Sequence, residues 1–146
     1  MARLTADDVA CWVLKTAAPP EALLPGWGAG EERLLTRCLR PSYRLGLLAP
    51  GRPCLLWLSG RQRPGVHAVG TLADHVDDAP GGPSVAVRVR LLDEPVPRAE
   101  LLTDPAFAGA EVVRMPAGSN PSWLSAGQYA AVLARAGRNR LGSWRA

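Results

Sequence analysis

The sequence contains no isoleucine, a single lysine (Lys15), one phenylalanine, two tyrosines, two histidines and three cysteines among 146 residues. Cys11, Cys38 and Cys54 are an odd set separated by 27 and 16 residues, which excludes a disulfide framework and a CxxC-type zinc pattern. Unpaired, they read as reduced core thiols that behave as small hydrophobes. His67 and His75 are too thin a supply for a Ser-His-acid hydrolase, and no His, Cys or acid cluster stands at metal-ligand spacing. No run of about 18 apolar residues offers a membrane span, and no basic stretch leads into an apolar one as in a secretory leader. The expectation is a soluble, cytoplasmic chain without cofactor or metal. A G-x-x-x-x-G-K-[ST] loop is also missing, and Gly26-Trp27-Gly28-Ala29-Gly30 lacks the context and spacing of a dinucleotide fingerprint, so nucleotide hydrolysis and redox chemistry drop out.

What is present is a globular composition, 47% hydrophobic and 21% charged, too apolar for a disordered chain. At this length one domain is expected to bury roughly 70% of its unfolded surface. The formal charge is +4, with 17 basic against 13 acidic residues. All the basic residues except Lys15 are arginine, part of which reflects GC-rich codon usage and part of which suits a polyanionic partner.

Val9–Lys15 (VACWVLK) predicts a strand, followed by a loop over 17–30. Over Glu31–Leu39 the spacing of Leu34, Leu35, Cys38 and Leu39 predicts a short helix. Pro53–Ser59 is apolar enough for a central strand covered on both faces. After the basic loop Arg61–Gly65, Val66–Ala73 completes a hairpin with a bulge or bend at Gly70. Asp74–Pro83 is a turn. Ser84–Leu92 alternates Val85, Val87, Val89 and Leu91 against Arg88 and Arg90, a strand with one wet face. Two helical pieces broken at Asp104-Pro105, a small strand over Glu111–Met115, and a helix opened by a Ser125/Gln128 capping box follow. That helix carries Tyr129, Val132, Leu133 and Ala136 on its apolar stripe. The organisation expected is one domain over 1–136 and a basic, flexible tail over 137–146 with Arg138, Arg140, Trp144 and Arg145. Without regular strand-helix alternation, the fold class is α+β, a pseudobarrel in preference to a doubly wound sheet.

Five of the eight aromatic residues are tryptophan. Trp12 and Trp57 fall within predicted strands, near Lys15 and near Ser59-Gly60 with Arg61 and Arg63; Trp27 and Trp123 fall beside Gly/Pro-rich loops. Each ring reads either as core filling or as a stacking face. Because two strands both carry a ring towards an end bearing donors and positive charge, the expectation is an aromatic pocket for a nucleobase between the Trp12 and Trp57 strand ends, with a rim that seeks its phosphate.

The segments LAPGRPCLLWLSG (48–60), GVHAVGTL (65–72), EPVPRAELLTDP (94–105) and EVVRMPAGSNPSWLS (111–125) resemble, in that order, the EVE domain family of the PUA-like superfamily, related to YTH and ASCH domains. The likeness spans residues 9–136. It implies a PUA-like β-pseudobarrel of five to six strands with short peripheral helices. It also implies binding without chemistry: recognition of a modified base in DNA or RNA by a non-enzymatic module. Nothing in these residues cuts or modifies nucleic acid, so such a reader, expected as a monomer, needs a separate effector protein or acts by occlusion. Trp12, Lys15 and Thr16 match the end of the first strand, Tyr43 and Arg44 an aromatic-Arg pair, Trp57, Ser59 and Gly60 a strand end, and Ser119, Asn120 and Trp123 the GSNPSW motif. Lys15 reads as a donor to phosphate or base, or as a solvated strand-end lysine. Asn120 reads as a base-edge reader, or as a brace for the Pro121 turn. Two positions depart from the family pattern: Ala18 replaces the usual acid before Pro19, and Arg37 or a neighbour stands where many members have a pocket tryptophan. A small-molecule or protein-interaction module on the same fold is the alternative, and an ASCH-like enzyme a third.

Overall fold

A computed structural model describes residues 3–139, with side chains through 137, so Arg140, Trp144, Arg145 and the Arg138 side chain lie outside the described residues. After a 3-10 turn (Ala6–Asp8) come β1 (Cys11–Thr16), α1 (Pro20–Leu23), β2 (Glu32–Cys38), a second 3-10 turn (Tyr43–Leu47), β3 (Pro53–Leu58), β4 (Gly65–Leu72) and β5 (Asp77–Ala79). Then follow β6 (Gly82–Pro97), α2 (Arg98–Leu101), α3 (Pro105–Ala108), α4 (Glu111–Arg114), β7 (Ser122–Leu124) and α5 (Ala126–Asn139). The strands form one mixed sheet in the order β2-β6-β4-β3-β1-β7, with β5 paired to β6. The architecture is α+β as expected, but the sheet has seven strands where five or six were expected, and it is not closed. Its two edges approach just beyond β2 and just before β7, where the Arg40 amide donates to the Asn120 carbonyl at 3.0 Å.

Alternation along the central strands builds a core on each face. Trp12, Leu14, Cys54 and Leu56 join Leu35, Val85, Val87 and Val89 on one face. Cys11, Val13, Leu55 and Trp57 join Val66, Leu101, Phe107, Val112 and Val132 on the other, under the helices. β1 and β3 are therefore covered on both sides, which is why they read as nearly continuous apolar runs. The capping box forms, with the Ser125 amide donating to Gln128 Oε1 at 2.9 Å and the Gln128 amide to Ser125 Oγ at 3.3 Å. From it α5 runs to Asn139, past the position where the tail was expected to begin. On its stripe Val132 and Ala136 are buried, whereas Leu133 is exposed.

Several local expectations are corrected. Residues 31–39 hold a strand instead of a helix: β2 pairs with β6 from Glu32↔Arg90 to Cys38↔Ser84, which buries Leu35 and Leu39 and leaves Leu34 55% exposed. Glu111–Met115 is not a strand but the single turn α4, held by the Val113 and Arg114 amides donating to the Ala110 carbonyl. The register does not slip at Gly70. A Cβ there would strike the Arg88 carbonyl, so this glycine lets β6 lie close. Cys38 is exposed, while Cys11 and Cys54 are core thiols.

Burial pushes the Cys54 thiol up to about 12 and raises Cys11 as well. In a thiol titration at pH 8, one of the three cysteines should therefore react in the native protein and all three in denaturant. Two fast native thiols would contradict this burial.

Candidate functional site

Parity along the ladder decides what the two strand tryptophans do. Trp12 pairs with Cys54 across the parallel β1–β3 ladder. Trp57 lies three residues beyond Cys54, an odd step that turns it to the opposite face. Trp12 is fully buried in one core, its Nε1 without a hydrogen-bond partner among the described residues. Trp57, 4% exposed, stacks on Phe107 in the other core, ring centroids 6.0 Å apart and 18° from parallel. These rings cannot wall one pocket, and neither offers a face to a ligand.

Other residues singled out from the sequence do converge, where the sheet edges meet. Lys15, Thr16, Ser59, Ser119 and Asn120 line a cavity of about 250 Å³ at the ends of β1 and β3. A second cavity, about 270 Å³, shares Gly118, Ser119 and Asn120 with it and is lined further by Arg40, Ser42, Arg44, Glu111, Met115 and Pro121. The two adjoin as one cleft. A third cavity on the other side of Arg44 and Glu111 contains Tyr43 and Trp123 together with Arg3 and Arg114. There the Arg3 guanidinium lies 3.9 Å from the Tyr43 ring centroid and covers one of its faces. Gly60 and Arg61 are exposed in the turn after β3. Gly60, at φ 105°, needs glycine for its backbone and has open space around it. Arg63 lines a separate cavity beside His67 and does not join the cleft.

Asn120 is a brace, and its partner is β1. Its Oδ1 accepts from the Lys15 amide at 2.7 Å and its Nδ2 donates to the Lys15 carbonyl at 3.1 Å. This continues the antiparallel β1–β7 ladder, whose last pair is Val13↔Ser122, with a side chain in the role of backbone. Lys15 is no solvated strand end: at 9% exposure its Nζ donates to the Met115 and Gly118 carbonyls at 3.1 and 2.8 Å. Burial pulls this amine below its usual range, Glu111 opposing the shift and Arg44 adding to it. Thr16 Oγ1 is occupied by the turn after β1, donating to the Ala18 carbonyl.

The cleft floor is an ion pair. Arg44 grips Glu111 with both terminal nitrogens, at 2.8 and 2.6 Å, and also donates to the Pro121 carbonyl; Ser122 Oγ donates to Glu111 Oε1 at 2.8 Å. Arg44 holds the Glu111 carboxyl below its usual range, helped by Ser122 and opposed by burial. The Arg44–Glu111 pair is thus neutral, and the charge left on the cleft is that of Lys15, tied to two carbonyls, and of Arg40 on the lip, which donates to Ser119 Oγ at 3.2 Å. Arg40, Ser42, Glu111 and Met115 were not apparent as site residues in the sequence. Their convergence depends on sheet curvature, and no local motif marks it.

No family model matches the sequence, and no curated protein matches it. Solved structures match its shape. A hypothetical protein from Leishmania major has a TM-score of 0.67 at 17% identity, over 89% of this chain and 96% of that one. Rpa0253 from Rhodopseudomonas palustris has 0.63 at 16%, over 88% and 94%. Human THYN1, solved in complex with 5-methylcytosine-containing DNA, has 0.53 at 13%, over 86% and 96%. The chain has the PUA-like α+β fold that THYN1 shares.

Glu111→Gln should lower stability by about 1.5–3 kcal/mol near neutrality, the range for hydrogen bonds to charged groups. Because the folded carboxyl sits below the roughly 4.3 of a free glutamate, its stabilisation is complete above that value and is lost as pH falls through the folded value. Urea unfolding at pH 7 and pH 3 should therefore show the wild-type advantage shrinking at pH 3. A gap that does not change with pH would refute the assignment.

Proposed function

We propose that the chain is a non-enzymatic nucleic-acid-binding module, of the EVE kind its sequence resembles, and that it receives a modified base in the cleft between the ends of β1, β3 and β7. The cleft itself carries this reading. A cavity of about 150 Å³ admits a benzene-sized ring, so either half of the cleft has room for a base. Met115, 55% exposed, and Pro121 offer apolar surface, and the Arg40 guanidinium offers a plane on which a base can stack. Ser42 and Ser119 supply hydroxyls for a base edge, and Arg40 on the lip suits a phosphate. The reading draws further support from THYN1, a structural neighbour solved on methylated DNA. It differs from the sequence expectation in that the base is held by Met115, Pro121 and Arg40 in place of an aromatic pocket of Trp12 and Trp57, and that Tyr43, Arg61, Arg63 and Trp123 take no part.

Fluorescence anisotropy tests the proposal with single- and double-stranded oligonucleotides carrying cytosine, 5-methylcytosine or 5-hydroxymethylcytosine at two salt concentrations. Binding should fall with salt and favour one modified form. Arg40→Ala should weaken it and reduce the salt slope by about one. Trp57→Ala should instead cost about 3–5 kcal/mol of folding stability, as a core truncation does. Binding without base preference would reduce the protein to a polyanion binder, and no binding at low salt would overturn the proposal in favour of a small-molecule or protein-interaction module.

A further inference from the structure

A cavity of about 140 Å³ shares no lining residue with the cleft. It forms because the ladder breaks on both sides of one residue. Against β3 the register of β4 slips between Ala68↔Leu56 and Val66↔Trp57, and against β6 between Ala68↔Leu91 and Val66↔Val96. His67 is the residue passed over in both, and residues 92–95 of β6 bow outward beside it. Such bulges re-aim side chains, and here the side chain is an imidazole only 5% exposed that lines the cavity. Trp27 forms another wall, fixed by donation from its Nε1 to the Glu31 carbonyl at 2.8 Å. Glu21, Asp93 and Arg63, all exposed, supply its charged side chains, and the rest of the lining is apolar. Arg63 holds a left-handed backbone, φ 52°, that non-glycine residues seldom adopt.

The hydrogen-bonding capacity of this lining is one-sided. His67 Nε2 lies 2.7 Å from the Arg63 carbonyl. A carbonyl only accepts, so Nε2 carries the proton. Burial holds the His67 pKa below its usual value, so the ring is neutral near pH 7 and Nδ1 is an acceptor. Among the described residues Nδ1 has no hydrogen-bond partner, and the Glu21 and Asp93 carboxylates have neither a hydrogen bond nor an ion pair. Three acceptors and the indole of Trp27, itself 6% exposed, line a space large enough for a small planar group. A group with several N–H donors and a positive charge satisfies all of them at once, through hydrogen bonds to the acceptors and cation–π attraction to the ring.

We infer that this cavity, walled by Trp27 and His67 and rimmed by Glu21 and Asp93, is a binding site for a small organic cation of the guanidinium type. Arg63 tunes it from the lining, since its own charge opposes such a ligand. The site is independent of nucleic-acid binding in the cleft.

NMR titration of the full chain tests it, following the Trp27 Nε1–H and His67 ring signals with methylguanidinium chloride, with acetyl-glycyl-arginyl-glycine amide, and with sodium acetate as the anionic control. Saturable shifts of both signals are expected with the two cations and none with acetate. Asp93→Asn and Glu21→Gln, both at exposed positions where the fold should be unaffected, should each weaken binding up to about fivefold, the upper range for an exposed charge pair. Arg63→Ala should tighten it. Clearly tighter binding of the peptide would assign the cation to an arginine of a protein partner, and equal binding to a free small molecule. No saturable shift with either cation, equal shifts with acetate, or full affinity in both acid variants would overturn the inference.

Discussion

The structure turns on the carboxamide of Asn120. One side chain supplies both the acceptor and the donor that the Lys15 backbone needs, across 105 residues of sequence, while the carbonyl of the same residue takes the Arg40 amide. First strand, last strand and the segment after β2 are thereby tied at a single point. Each such bond contributes only about 0.5–1.5 kcal/mol net, but leaving the buried partners unpaired costs more, so the three act as a unit. The clasp also fixes the loop before it, because the Lys15 amine can cap the Met115 and Gly118 carbonyls only while β1 and that loop stay in register.

From this the character of the cleft follows. The sheet does not close, and where its edges nearly meet they leave a space bounded by the clasped loop and by the turn that carries Ser42 and Arg44. Arginine and carboxylate cancel on the floor, so the net charge of +4 is not concentrated there. A ligand entering would meet a partly apolar interior with the carbonyl-bound Lys15 amine at one end and the Arg40 guanidinium on the lip. Packing and exposure are also divided between residues: tryptophans 12 and 57 fill cores, while short polar side chains and Met115 face the open space.

The strands that carry the core were legible in the sequence, because β1, β3, β4 and β6 state their burial in runs or strict alternation. β2 was not. Its inward positions are shared between leucine and arginine, so that Arg33, Leu35, Arg37 and Leu39 hide a period of two, and the adjacent pair Leu34-Leu35 imitates a helix face. α4 failed in the opposite sense, since two valines within EVVRM suggest a strand, whereas what decides is the Ala110 carbonyl that starts the turn. Short pairings such as β5 and β7 depend on partners far away. For the site, Lys15, Thr16, Ser59, Ser119 and Asn120 were named from local motifs and do lie together. Trp12 and Trp57 were placed in one pocket because both lie near strand ends; only the register reveals that they face opposite ways. Glu111 and Arg40 join the cleft through contacts of long sequence separation that no local pattern encodes.

The dependence of the cleft on the clasp is tested most directly by amide hydrogen exchange at Lys15 and Arg40 in Asn120→Ala compared with wild type. Removing the carboxamide takes the acceptor away from the Lys15 amide directly, whereas the Arg40 amide keeps its backbone acceptor unless the edges part. The account predicts that both amides exchange faster in the variant. Loss of protection at Lys15 alone, with Arg40 unchanged, would show that the edges are held together by something other than Asn120.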